Sequence, residues 1–282
     1  MKIIRVPSSL RKGIGAWRRG GRSVGFVPTM GALHEGHVSL IRRAQKENDF
    51  VVVSLFVNPT QFGPSEDLKR YPRPFAKDAA VCRKAGVAIL FAPTPETLYP
   101  KGFQTWVTVE KLAQPLCGAF RPGHFRGVAT VVLKLLNLVQ PDRVYFGKKD
   151  FQQLRVIQQM VRDLHLPIRV VPCPTVRAST GLALSSRNAL LSSEERAAAP
   201  LLRRALRVAG QVLKSRRNAA EARRAARGVL RGIPGARVQY VDIVDPHTLG
   251  PLPNKPGPVL VAAAVWVGRT RLIDNLYLNS LI

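Results

Sequence analysis

Acidic side chains are scarce in this chain. Its 282 residues carry 17 Asp and Glu against 44 Lys and Arg, a formal net charge of +27 at pH 7. No carboxylate constellation of the kind that holds a hard divalent cation stands out, so no protein-held metal is expected. Cysteine is scarcer still. Cys82, Cys117 and Cys173 are an odd number in unlike contexts, which excludes a disulfide scaffold and fits a reducing, cytoplasmic setting. Long hydrophobic runs are missing: Val259 to Val267 is the longest, well short of the roughly 20 residues that cross a bilayer, so no membrane partner is expected. The N-terminal MKIIRVPSSL lacks an extended apolar segment and a small-residue cleavage site, so no secretory signal is expected.

What is abundant is arginine, spread along the chain and densest between Arg196 and Arg231 in an alanine-rich stretch that reads as exposed helix faces. Such charge invites a nucleic-acid reading, but no recognition motif accompanies it, so no specific nucleic-acid partner is expected. A general attraction for anionic ligands is the safer inference. Hydrophobic residues reach 46%, too many for a disordered chain.

Five short apolar segments read as strands: Ser23–Val27, Phe50–Val57, Val87–Phe91, Asp142–Phe146 and Ile168–Val171. FVVVSLFV at Phe50–Val57 is apolar almost throughout, as a parallel strand buried on both faces must be. Helical patterns at Val38–Asn48, Ala76–Ala85, Gly127–Val139 and Phe151–Leu164 lie between them. The alternation predicts an α/β fold with a doubly wound parallel, Rossmann-like sheet over residues 1–174. Composition shifts near Thr175, and residues 175–282 read as a smaller C-terminal α+β domain with strands at Val238–Val244 and Val259–Val267. Ligands of such sheets sit beyond the carboxyl ends of the strands, so the loops there are the informative places.

The first loop runs Pro28-Thr29-Met30-Gly31-Ala32-Leu33-His34-Glu35-Gly36-His37 into a helix. Its glycines allow close backbone approach, and a helix N-terminus offers unpaired N–H groups, which together make a phosphate seat. His34 and His37 lie three apart, one helical turn, and two imidazoles there suit phosphate oxygens better than a metal, for which no third ligand is nearby. Asn58-Pro59-Thr60-Gln61-Phe62-Gly63 brings amides fit for hydroxyls and carboxylates. Arg121-Pro122-Gly123-His124-Phe125-Arg126-Gly127 is either a cationic anion-binding loop or an arginine-decorated turn. Gly147-Lys148-Lys149-Asp150 precedes a helix with Gln153 one turn in, where Asp150 is equally a helix cap. Leu184-Ser185-Ser186-Arg187 offers hydroxyls and a fixed cation able to close over a triphosphate. The set supplies phosphate donors and amides but no nucleophile beside a base, which favours adenylyl transfer over hydrolysis through a covalent intermediate.

These motifs, with Phe56-Val57-Asn58-Pro59-Thr60-Gln61-Phe62, Tyr71-Pro72-Arg73, Leu184-Ser185-Ser186-Arg187-Asn188 and Arg271-Leu272-Ile273-Asp274-Asn275, occur in an order that closely resembles the pantoate–β-alanine ligase (pantothenate synthetase) family over nearly the whole chain. That family belongs to the nucleotidylyltransferase superfamily, and Ser185-Ser186-Arg187 looks like a shortened form of its K-M-S-K-S-type signature. The resemblance implies ATP-dependent condensation of pantoate and β-alanine to pantothenate through pantoyl adenylate, releasing AMP and pyrophosphate, with Mg²⁺ carried on the ATP phosphates. It implies a homodimer and a C-terminal lid. It also implies that Met30, Gly31, Ala32, Leu33, His34, Glu35, Gly36 and His37 bind ATP. Gly147, Lys148, Lys149, Asp150, Val176, Leu184, Ser185, Ser186 and Arg187 join them. His37, His34, Lys149 and Arg187 carry the catalytic roles, while Gln61, Gln153, Asn58 and Arg121 serve the other substrates. Two positions depart from the family pattern. Cys117 stands where Glu is common and reads as a packing residue, and Lys148 replaces a carboxylate and makes the rim more positive.

Overall fold

The computed structural model describes residues 1–64, 66–253 and 255–279. The chain falls into two compact units: unit 1 is Met1–Ala113, Arg121–Lys148 and Gln153–Pro174, and unit 2 is Gln114–Phe120, Lys149–Gln152 and Thr175–Ile282. The compositional break at Thr175 is thus accompanied by two short excursions of the chain, at 114–120 and 149–152, into the second unit.

In unit 1 the chain runs β1 (Lys2–Ile4), α1 (Pro7–Arg19), β2 (Val24–Thr29), α2 (Glu35–Glu47), β3 (Phe50–Leu55), α3 (Phe75–Lys84), β4 (Ile89–Phe91) and α4 (Pro95–Leu98). After α5 (Cys117–Phe120), which lies in unit 2, come α6 (His124–Val139), β5 (Arg143–Gly147), α7 (Phe151–Asp163) and β6 (Arg169–Cys173). The six strands form one sheet in the order β1-β4-β3-β2-β5-β6, every pairing parallel. On one face Val51, Val53 and Leu55 of β3 pack with Leu40, Ile41 and Ala44 of α2 and with Ala79 and Cys82 of α3. The intervening Val52 and Ser54 are equally buried. Burial on both faces is why the strand reads as a continuous apolar run. The strand order reverses between β3 and β5 around the central β2, the position where doubly wound sheets open a crevice at their carboxyl edge.

Unit 2 carries α8 (Ser193–Ala198), α9 (Leu201–Arg216), α10 (Ala219–Leu230), β7 (Arg237–Val244), β8 (Val259–Val267) and β9 (Thr270–Leu278). Its strands form an antiparallel sheet in the order β7-β8-β9. Leu202, Leu206, Ala209 and Leu213 of α9 and Ala222, Ala226 and Leu230 of α10 share one core with Val261, Ala263 and Val265 of β8. The α+β character expected of this part is observed, with a third strand, β9, that the sequence pattern did not reveal.

Other differences are local. β1 and α1 precede the first expected strand. Pro28 and Thr29, expected in a loop, continue β2. α2 starts at Glu35 and α6 at His124, each three residues earlier than expected, because the His34 and Arg121–Gly123 turns already feed the helices. Among the described residues no helix is long and apolar enough to cross a membrane.

Candidate active site

At the carboxyl end of β2 the backbone turns sharply. Thr29 donates its hydroxyl to Ser54 O at 2.7 Å and accepts from Gly31 N at 3.2 Å. Gly31 and Ala32 both take positive φ, +87° and +49°. Glycine does this freely; alanine does not, and needs external support. The support is Asp78 of α3, a buried carboxylate that accepts from Ala32 N and Leu33 N, one on each oxygen, at 2.8 Å. Space at Gly31 is also limited, since a Cβ there would sit 3.0 Å from Asp78 Oδ2.

The two histidines follow at once. His34 is the N-cap of α2, and its Nδ1 accepts from Gly36 N at 3.1 Å. His37, one turn on, accepts from His34 N with its own Nδ1 at 3.3 Å. This reciprocal capping box uses imidazoles where a hydroxyl and a carboxamide or carboxylate are usual. Its consequence is chemical. A ring nitrogen that accepts from a backbone N–H has no proton, so each neutral ring carries its hydrogen on Nε2. The rings lie 4.1 Å apart between centroids, tilted by 42°. The helix start therefore presents two imidazole Nε2–H donors side by side, with the positive end of α2 behind them.

The loop after β3 is built around Asn58, which is 1% exposed. Its amide donates to Gln61 Oε1 and to Gly127 O, both at 3.1 Å, and its Oδ1 accepts from Thr60 Oγ1 at 3.0 Å. Gln61, also buried, donates from Nε2 to Met30 Sδ at 2.9 Å. The amide expected to bind substrate and the first residue of the expected phosphate loop thus touch.

The Arg121 guanidinium forms a bidentate ion pair with Glu66, donates to Gln61 O at 3.2 Å, and approaches His124 Nε2 at 3.0 Å. A guanidinium has no acceptor, so His124 Nε2 accepts and Nδ1 carries the hydrogen, which is donated to Gln61 O at 2.8 Å. Burial alone would raise the Glu66 carboxyl. The hydrogen bond and charge of Arg121, helped by Gly63 N–H, overcome it and hold the group below its ordinary value. The Arg121 guanidinium thus pairs with a carboxylate of the protein and at the same time grips the Gln61 carbonyl. Gly147 ends β5, Lys148 is exposed beside it, and Gln153 is half-buried in the first turn of α7.

In unit 2, Lys149 Nζ lies 3.5 Å from Asp150 Oδ1. Val176 O accepts from Leu184 N at 3.0 Å, closing a narrow loop whose stem includes the Arg177–Ala183 bridge. Ser185 then caps the 3-10 turn Ser186–Leu190 by accepting from Arg187 N at 3.3 Å. Cys117 is 5% exposed, and its N–H donates to Gln152 Oε1 at 3.0 Å. Burial raises the other two thiols, Cys173 and, with the charge of Asp78 added, Cys82 to about 12. Among the described residues no three His, Cys, Asp or Glu side chains gather as metal ligands.

Sequence reasoning missed Asp78, Glu66 and His124 as parts of the site. Asp78 lies 45 or 46 residues from the amides it holds, and Glu66 lies 55 from Arg121. No local pattern marks pairs so distant. His124 lies inside the Arg121–Gly127 motif, but its role depends on a carbonyl 63 residues away.

The family model described as pantoate-beta-alanine ligase matches residues 2–277. The pantothenate synthetase of Moorella thermoacetica is 53% identical over 280 residues, 99% of both chains. That of Thermotoga neapolitana is 50% identical over 99% of this chain and 100% of its own. A crystal structure of pantothenate synthetase from Thermus thermophilus superimposes with a TM-score of 0.92 at 51% identity, covering 98% of this chain and 99% of the other. The pantoate-beta-alanine ligase of Francisella tularensis, complexed with beta-gamma ATP and beta-alanine, does so with a TM-score of 0.82 at 37% identity, covering 98% and 97%. By sequence, fold and motif order together, the chain belongs to the pantoate–β-alanine ligase family.

Proposed function

We infer that the chain condenses pantoate with β-alanine in two steps. The pantoate carboxylate attacks the α-phosphorus of ATP, giving pantoyl adenylate and pyrophosphate. The β-alanine amine then attacks the acyl carbon and expels AMP, leaving pantothenate. A carboxylate is a weak nucleophile and its target is anionic, so the site must neutralise charge and align the reactants.

The observation that carries this reading is the pair of imidazole Nε2–H donors at the N-terminus of α2, fixed by the capping interactions of His34 and His37. Donors held in place before charge develops stabilise a transition state without reorganising. His37 acts on the phosphate as charge moves to the leaving group, with His34 beside it. The backbone of Met30 to Gly36, shaped by Asp78, receives ATP. Gly147, Lys148, Lys149 and Asp150 hold nucleotide, Lys149 reaching phosphate. Val176 meets adenine through its backbone, and Leu184, Ser185, Ser186 and Arg187 take the phosphates, Arg187 countering the departing pyrophosphate. These last residues give the C-terminal part its role as a lid.

Gln61 and Gln153 bind pantoate, with Gln61 also near β-alanine, and Asn58 and Arg121 shape the pocket through Gln61. Mg²⁺ enters as the counter-ion of the ATP phosphates. The imidazoles, amides and thioether around Met30 are not the oxygen-rich set that Mg²⁺ takes from protein. The enzyme works as a homodimer in the cytoplasm.

The test is exchange of labelled pyrophosphate into ATP. Exchange must require pantoate, and AMP must accumulate only when β-alanine is added. Exchange indifferent to pantoate overturns the assignment in favour of another acid-activating adenylyltransferase. Sedimentation of the purified chain at the monomer mass would overturn the homodimer.

A further inference from the structure

The motif Arg271-Leu272-Ile273-Asp274-Asn275 has no part in the assignments above, yet two of its residues tie together the segments of unit 2 that carry them. Asp274 lies on β9 and is 4% exposed. Its two oxygens accept from Arg177, NH1 to Oδ2 at 2.7 Å and NH2 to Oδ1 at 2.9 Å. The same Arg177 NH1 donates to Gly181 O at 3.1 Å. Arg177 thus spans the narrow loop that Val176 and Leu184 close, and Asp274 fixes the guanidinium that spans it. Asp274 Oδ1 also accepts from Asn275 N at 2.8 Å. Asn275 then donates from Nδ2 to Lys149 O at 2.8 Å. One dipeptide on a rigid strand therefore anchors the turn bearing Lys149 and the stem preceding Ser185-Ser186-Arg187.

We propose that Asp274 and Asn275 are positioning residues that hold Lys149 and the Val176–Leu184 loop in one arrangement for ATP. The proposal rests on the assignment of those segments to nucleotide. A bidentate Arg–carboxylate pair fixes direction as well as distance, and a strand interior holds it more rigidly than a loop would. Asn275 cannot be replaced by a carboxylate without setting an oxygen against the Lys149 carbonyl, since an ionised Asp has no donor.

The chosen variants are Asn275→Ala, Asn275→Asp and Asp274→Asn. Each is assayed for ATP affinity by calorimetry, for KM of ATP and of pantoate in pyrophosphate exchange, and for thermal midpoint. Loss of one such contact corresponds to about a tenfold change. The expected result is an ATP Kd and KM raised about tenfold in Asn275→Ala, and further in Asn275→Asp, with pantoate KM within about twofold of the parent. Asp274→Asn removes a buried charge partner and lowers the thermal midpoint, so the Asn275 variants decide the outcome if it does not fold. An ATP KM unchanged in both Asn275 variants, or ATP and pantoate KM values rising together, overturns the positioning role while leaving the reaction intact. An unsubstituted enzyme that neither binds ATP nor exchanges pyrophosphate overturns the functional reading, and this inference with it.

Discussion

At the scale of single residues the site is defined by where protons sit. His34 and His37 each spend Nδ1 on a backbone N–H, which leaves Nε2 as the donor of both neutral rings. His37→Ala is therefore expected to slow adenylate formation in single-turnover assays by about two or more orders of magnitude, the usual cost of one transition-state donor. Folding should be kept, because α2 retains the His34 cap. An unchanged single-turnover rate removes His37 from the chemistry. Glu66 offers a prediction with a sign. Its folded-state pKa is lowered against burial by Arg121, so the ionised carboxylate stabilises the fold above its ordinary value of 4.5, and that contribution is lost as pH falls through the lowered value. Glu66→Gln should melt below the parent at pH 7, and the gap should close as pH drops below 4.5. A gap constant across that range shows that the charge is irrelevant there.

At the scale of elements the loop after β3 is pinned by the approach of α6. A Cβ at Gly127 would fall 2.5 Å from Thr60 O and 2.8 Å from Gln61 N, both backbone atoms that cannot swing aside. Gly127→Ala is expected to cost about 1–3 kcal/mol by overpacking and to raise pantoate KM more than ATP KM, since it displaces the Pro59–Gln61 turn. Equal effects on both substrates would show that the turn does not serve pantoate. Gly127 also illustrates what could be read from the sequence. The central strands were legible because burial on both faces leaves no alternation to misread, as in Phe50–Leu55. The helix beginning at His124 was legible only from Gly127, because its first turn is a polar motif. β9 was missed because Arg271, Asp274 and Asn275 break its apolar pattern, and Asp274 is buried by an ion pair with a residue 97 positions away. The histidine pair could be picked out because the two rings are neighbours in sequence as well as in space, whereas Gln61, whose partners Met30, Arg121 and His124 are 31 to 63 residues away, stood out only through the family resemblance. Asp78 and Glu66 could not be picked out, because the segments they hold lie 45 to 55 residues away and only folding brings them together.

At the scale of the whole molecule the charge of +27 is the least local property, and the substrates respond to it unequally. ATP with its magnesium ion is a dianion, pantoate a monoanion, and β-alanine a zwitterion of no net charge. A field summed over many arginines attracts them in that order, and salt weakens it as the screening length falls from about 10 Å at 0.1 M to about 3 Å at 1 M. Direct contacts to phosphate in a partly buried site are screened far less. If the surplus arginine assists capture of substrate, kcat/KM should fall with ionic strength most steeply for ATP, less for pantoate, and hardly at all for β-alanine, measured with the other substrates saturating and a neutral osmolyte as control. If the three fall in parallel, salt acts on stability or on the chemical step, and the excess charge contributes nothing to capturing substrate. Substituting the exposed Arg204, Arg207, Arg224 and Arg227 of α9 and α10 together by Gln separates long-range field from site chemistry. The expected result is a shallower salt dependence for ATP with kcat unchanged, because none of these side chains belongs to the segments assigned to substrate.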